Sequence, residues 1–246
     1  MDFLSLLGVL AGFTAILGGR PGMISGATGA IAVVIAELAL SHGAEYVFAT
    51  VVLAGIIQVV AGFLRLGKLM RLVPHPVIFG FVNGLAIIIF MSQIDQFKDA
   101  DGNWLTGNSM YIFFGLALLT MLIIWGLPKL TKVVPSSLVA ILVVFGIVAG
   151  FGLTTKTVGD MASIQGGFPP FHIPSVPFNM ETLILILPYA AIVAGVGLIE
   201  SLLTLNIIDE ITETRGRGNK EAVAQGIANM LSGVFSGMGG CAMIGQ

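Results

Sequence analysis

Eight apolar segments, separated by short polar turns, set the limits on what this chain can fold into. They run roughly Phe3–Leu17, Ala27–Leu40, Val47–Leu66, Val77–Ile94, Tyr111–Leu127, Ser136–Gly150, Leu183–Asn206 and Ala222–Phe235. A full crossing of a bilayer by a helix takes about 20 residues. The segments at Ala27 and Ala222 fall short of that. Mean hydropathy is +1.00 and only 10% of residues are charged, against about 25% in soluble domains. One soluble core could not hide so much apolar surface, so the fold class expected is an all-α membrane protein. A net charge of −2 and the lack of a basic stripe argue against a nucleic-acid partner. The single cysteine, Cys241, excludes an intramolecular disulfide and a cysteine-based metal site. Its neighbours Gly240 and Ala242 suggest a small packing residue. Asp2 stands where a signal peptide would carry basic residues, so Phe3 onward reads as a membrane helix.

Charge fixes an orientation. Arg20, then Arg65, Lys68 and Arg71, then Lys129 and Lys132, then Arg215, Arg217 and Lys220 fall in turns on one side; Lys98 and Lys156 fall on the other. Such a bias marks the cytoplasmic face. It places the proline-rich stretch Thr154–Asn179 outside, as extended surface structure. It also starts the chain outside, and Gln246 comes just where another apolar segment would begin. Both ends therefore read as cut from a longer protein.

Two glycine-rich entries stand out. Ser25-Gly26-Ala27-Thr28-Gly29-Ala30 leads into Ile31–Val34, and Ser236-Gly237-Met238-Gly239-Gly240-Cys241-Ala242 closes the chain. Each is uncharged and leaves backbone N–H groups unhidden. A helix starting inside the bilayer from such a stretch can hold an anion at its positive dipole end. Small residues at these places can equally serve close helix packing.

Glu200 lies between Gly197 and Thr204 in an otherwise apolar run. An ionisable group within a membrane helix is a functional candidate by default; the alternative is a carboxylate reaching water near the helix end. A carboxylate beside an anion site repels the anion unless it carries a cation. A proton or a sodium ion removes that repulsion and couples the two fluxes. Thr204, one turn further on the same face, can supply an oxygen. Glu37, near Ser41-His42, reads equally as an interfacial acid or a pathway residue. Thr28 reads as an anion contact, a helix cap, or both. His42, His75 and His172 lack a second ligand at metal spacing and read as loop or interfacial residues. Phe79, Phe90, Phe113 and Phe114 read as lipid-facing or packing aromatics. Asp209, Glu210 and Glu213 are expected to face Arg215 and Arg217 in one solvated cytoplasmic turn. No catalytic constellation appears within the apolar segments, so no enzyme activity and no cofactor is expected.

Gly18-Gly19-Arg20-Pro21-Gly22-Met23-Ile24-Ser25-Gly26-Ala27-Thr28-Gly29 resembles the approach to the third helix of the SulP family of sulfate permeases and bicarbonate transporters. Glu200-Ser201-Leu202-Leu203-Thr204, then Asp209-Glu210 and Asn219-Lys220-Glu221, resembles its eighth helix, cytoplasmic turn and ninth helix. Gln225-Gly226-Ile227-Ala228-Asn229, Ser232-Gly233 and Gly237-Met238-Gly239-Gly240 resemble the approach to its tenth. The resemblance covers essentially the whole chain. It implies two inverted seven-helix repeats divided into core and gate, with core elements at about 1–66 and 181–246 and gate elements at about 77–151. It implies helices two to nine and the start of ten. The first helix, helices eleven to fourteen and the soluble STAS domain would be absent, so this length alone is expected not to transport. By the same resemblance the anion lies between half-helices three and ten, at Ala27, Thr28 and Gly29 on one side and Ala242, Met243 and Ile244 on the other, with Glu200 and Thr204 as the cation-coupling pair. The function implied is secondary active, elevator-type transport of a small inorganic anion, sulfate first, then bicarbonate or dicarboxylate. It would be coupled to protons or sodium in a bacterial cytoplasmic membrane, with the full-length protein a homodimer. A nucleobase permease of the same fold is the alternative; Met238–Gln246 lacks the acid and Asn expected there. An uncoupled anion channel is another, and it would not need Glu200.

Overall fold

The computed structural model describes residues 12–67, 75–98, 103–131, 134–153, 155 and 171–242. Among them, seven helices and one two-stranded ribbon follow the order β1 (Ser25–Gly26), α1 (Gly29–His42), α2 (Ala44–Phe63), α3 (His75–Ile94), α4 (Asn108–Leu130), α5 (Ser136–Phe151), α6 (Met180–Thr212), α7 (Gly218–Val234) and β2 (Cys241–Ala242). Residues 12–17 are also helical; the earlier part of the first apolar segment lies outside the described residues. Each remaining apolar segment forms a helix, and the all-helical class expected from sequence is the one observed. Three helices, α2, α4 and α6, are long and apolar enough to cross a membrane.

The chain divides into two compact units, one of residues 1–89 with 163–246, the other of residues 90–162. In the second unit α4 packs against α5. A 3-10 turn at Asp95–Phe97 precedes α4, and Phe97 meets Phe113 edge-on with ring centroids 4.8 Å apart. Phe90 and Phe114 are exposed in this unit, as is Phe79 in the other.

The first unit carries the buried core. Ile31, Ile35 and Leu38 of α1 meet Val47, Val51 and Ala54 of α2 and Ala190, Val193 and Ala194 of α6, with Cys241 of β2 among them. Helices α2 and α7 pack most intimately, because glycines face the partner at the same seven-residue spacing on both: Gly55 and Gly62 on α2, Gly226 and Gly233 on α7. A Cβ on Gly226 would stand 2.6 Å from the Gly55 carbonyl oxygen, and one on Gly233 would stand 2.8 Å from that of Phe48. Apolar helices gain little by burial from lipid, so close backbone approach through small residues does the work of association.

Two expectations at the α6 end are corrected. The polar turn expected from Glu210 begins later, because α6 runs 33 residues to Thr212 and stops where Glu213 turns left-handed at φ 52°. Asp209 does not face Arg215 and Arg217 across a solvated turn. It pairs with Arg20 at 2.7 Å and accepts from the Gly216 N–H at 2.8 Å. Arg20 also donates to the Ile208 carbonyl, Thr212 and Thr214. With a local partner for its carboxylate, Asp209 stays helical and half-buried, and the segment leading to β1 is tied to the end of α6. Glu221, at the start of α7, accepts from the Gly19 N–H at 2.7 Å and adds a second tie. Of the long proline-rich loop, residues 171–179 are described, and they form no helix or strand. Glu45 of α2 anchors that strap through His172 and the Ser175 N–H.

Replacing Gly226 with Ala is expected to lower stability by about 1–3 kcal/mol, since one methyl group overfills a backbone contact. Gly195→Ala in α6, where an added Cβ meets nothing within 4 Å, is expected to be neutral or stabilising by about 0.5–1 kcal/mol. Thermal unfolding of the two variants in detergent measures the contrast.

Candidate functional site

The two glycine-rich entries, more than two hundred residues apart in sequence, meet each other. Ser25 pairs with Ala242 and Gly26 with Cys241 in an antiparallel register. The approach is so close that a Cβ on Gly240 would overlap the Gly26 carbonyl. Two residues of strand on each side cannot satisfy their own backbone in apolar surroundings, and a buried polar group without a partner costs about 1–3 kcal/mol. Side chains from three helices make up the difference. Gln225 of α7 accepts from the Ser25 hydroxyl at 2.8 Å and donates to the Gly240 carbonyl at 2.7 Å. Asn229, one turn on, accepts from the Gly240 N–H and donates to Gln58 of α2, both at 2.8 Å. Ser201 of α6 accepts from the Ala242 N–H at 3.0 Å. Thr204 donates to the Ala242 carbonyl at 3.1 Å and to its own helix at Glu200 at 2.9 Å. It has one proton for two acceptors.

Helix α1 starts at this joint. Thr28 occupies its N-cap position with extended φ and ψ, but its hydroxyl caps no N–H. It lies instead 3.5 Å from the Cys241 sulfur. Helix starts leave their first N–H groups without intrahelical partners, and no acid stands in this first turn. Glu200 lies beside it, 5% exposed. One carboxylate oxygen, Oε2, accepts from the Cys241 thiol at 2.6 Å. The other, Oε1, is buried and has no hydrogen-bond partner among the described residues.

Of the residues singled out from sequence, Thr28, Gly29, Glu200, Thr204 and Ala242 therefore gather around one joint. Ala27 links β1 to Thr28. Met243 and Ile244 lie outside the described residues. Glu37 is exposed on α1, away from the buried core face of Ile31, Ile35 and Leu38. His42 bonds its neighbour Ser41, and His75's side chain lies outside the described residues. Sequence reasoning missed the parts played by Gln58, Ser201 and Cys241. Gln58 was within reach, as the one amide in a long apolar run. Cys241 was taken for a packing residue; it is fully buried, but its sulfur joins Glu200 to Thr28. No group of three or more metal-ligating His, Cys, Asp or Glu side chains occurs among the described residues.

Comparison with known proteins accounts for this arrangement. The sequence profile of the sulfate permease family matches residues 8–246. The chain belongs to the sulfate permease (SulP) family. YbaR of Bacillus subtilis, described as a candidate sulfate transporter, is 51% identical over 232 residues, covering 94% of this chain and 47% of that protein. The bicarbonate transporter BicA of a Picosynechococcus strain is 35% identical over 260 residues, covering 94% and 45%. The transmembrane domain of a cyanobacterial BicA superposes with a TM-score of 0.81 at 31% identity, covering 98% of this chain and 66% of that one. The chain thus has the fold of a multi-pass membrane domain and spans about half the length of the curated relatives it matches. The resemblance carried by Gly18–Gly29, Glu200–Thr204 and Gln225–Gly240 is borne out, and the family and relatives are described by transport.

The amide network is expected to behave as a unit. Asn229→Ala leaves the Gly240 N–H and the Gln58 carbonyl oxygen buried without partners, so a loss of about 1–3 kcal/mol is expected. Combined with Gln58→Ala, the two changes should miss additivity by about 0.5–3 kcal/mol. Thermal unfolding of the singles and the double tests it; simple additivity would mean that the network is not cooperative.

Proposed function

We propose that this chain is the membrane part of a secondary active transporter of small inorganic anions, coupled to protons or sodium. The observation that carries this reading is the buried Glu200 carboxylate with one oxygen unpartnered, set beside a helix start that carries no acid. The free N–H groups at the start of α1, with the Thr28 hydroxyl and the backbone of Ala27 and Gly29, bind the anion from one side. Ala242, Met243 and Ile244 bind it from the other. A helix N-terminus of this kind suits anions through its N–H groups and dipole.

Glu200 opposes that binding while it is ionised. A proton on Oε1 or a sodium ion against it cancels the charge, so cation and anion bind together and move together. Hard cations favour oxygen ligands, and Thr204 Oγ1 with the Ala242 carbonyl adds two to the carboxylate. Sulfate is the first candidate substrate, from the family and the YbaR relative; bicarbonate follows from BicA, and a dicarboxylate would use the same N–H groups. The unit holding the ribbon acts as the moving core of an elevator and residues 90–162 belong to the gate. The protein works as a homodimer in a bacterial cytoplasmic membrane.

Glu200→Gln in the full-length protein fixes the neutral state. Anion binding and exchange are expected to survive, while accumulation against a gradient is lost. Uptake into proteoliposomes under imposed proton and sodium gradients decides the matter. Unchanged uphill uptake by the Gln variant would make Glu200 a structural acid and remove the basis for coupling.

A further inference from the structure

Resting on that reading, we propose that the Cys241 thiol is a positioning group for Glu200, and that it selects which carboxylate oxygen meets the coupling cation. The thiol donates to Oε2 at 2.6 Å. That bond occupies one oxygen and fixes the rotation of the carboxylate, so Oε1 is the oxygen left open. Oε1 is buried without a partner among the described residues, in a side chain 5% exposed. An oxygen in that state is either a costly defect or the seat of a ligand; Asn219 Oδ1 and Ser232 Oγ are also buried without partners, but only Glu200 Oε1 belongs to a carboxylate.

The sulfur is held so that it can do this. Cys241 is fully buried. Its backbone is fixed by pairing with Gly26, and its flanking residues are fixed by Gln225 and Asn229 on Gly240 and by Ser201 on Ala242. Gly197, one turn before Glu200 on α6, keeps the Gln58 amide in place behind the joint: a Cβ there would stand 2.7 Å from the Gln58 side-chain nitrogen. On its other side the sulfur is 3.5 Å from the Thr28 hydroxyl at the start of α1. One thiol thus touches both the anion side and the cation side of the joint. Repacking β2 on α6 as the anion leaves would be felt at Glu200 through a single S–H···O bond.

A packing cysteine and a positioning cysteine give different results. With anion saturating, the cation concentration for half-maximal uptake by the full-length protein is expected to shift about tenfold in Cys241→Ala, and to stay within about twofold of the parent in Cys241→Ser, whose hydroxyl can donate in the same place. Infrared spectroscopy supplies a measurement that does not depend on the variants at 241 folding. The S–H stretching band of Cys241 should lie below that of a free thiol, and move toward it in Glu200→Gln, whose neutral carbonyl accepts more weakly. An S–H band indifferent to Glu200→Gln, or a Cys241→Ala protein with the parent's cation dependence, overturns the thiol's role while leaving the coupling function of Glu200 intact. Glu200→Gln with unimpaired uphill uptake overturns both.

Discussion

Everything in the ribbon-bearing unit depends on hydrogen bonding of a short stretch of non-helical backbone inside apolar surroundings. Where helices end and restart within lipid-facing protein, the freed N–H and C=O groups must find partners in the protein. Here the partners are amides and hydroxyls at fixed helical spacings: Gln225 and Asn229 on α7, Ser201 and Thr204 on α6, Gln58 on α2. Each helix contributes one face, and the faces converge because glycines on α2 and α7 allow the two backbones to touch. A polar network of this sort is stable only when complete. Three buried side-chain oxygens have no partner among the described residues, Glu200 Oε1, Asn219 Oδ1 and Ser232 Oγ; of these only Glu200 Oε1 belongs to a carboxylate, which makes it the informative one.

The same joint explains why charge is sparing near it. The start of α1 carries no acid. Arg20 is spent on Asp209 at the far end of α6, where it holds the approach to β1 in place. Glu221 on the Gly19 N–H does the same from α7. These two ties leave the segment from Gly18 to Thr28 anchored at its entrance by charge and at its end by the ribbon. An anion site built from backbone N–H groups needs that anchoring, since the geometry of the donors is the geometry of the chain.

Much of this was legible in the sequence. The lengths of the apolar runs gave the helices to within a few residues, because lipid tolerates few alternatives. The glycine-rich entries and the Glu200 carboxylate within its apolar run could be read as well, since an unhidden backbone and a buried charge are both costly unless used. Where the reading failed, a long-range partner had intervened. Asp209 is expected from sequence to face Arg215 and Arg217 in a turn; it pairs instead with Arg20, nearly two hundred residues earlier. Cys241 was expected to pack because its neighbours are small.

The sequence by itself determined that the chain is a bundle of membrane helices of the SulP type, with glycine-rich entries at Ser25–Ala30 and at Ser236–Ala242. Hydropathy and glycine placement are local properties, and the bilayer acts on them locally. Only the tertiary structure decided that these two entries pair residue for residue, that Gln225 and Asn229 complete them, and that a thiol lies between Glu200 and Thr28. Some of those contacts join positions more than two hundred residues apart. Their partners are set by how closely α2, α6 and α7 approach, which no local pattern encodes.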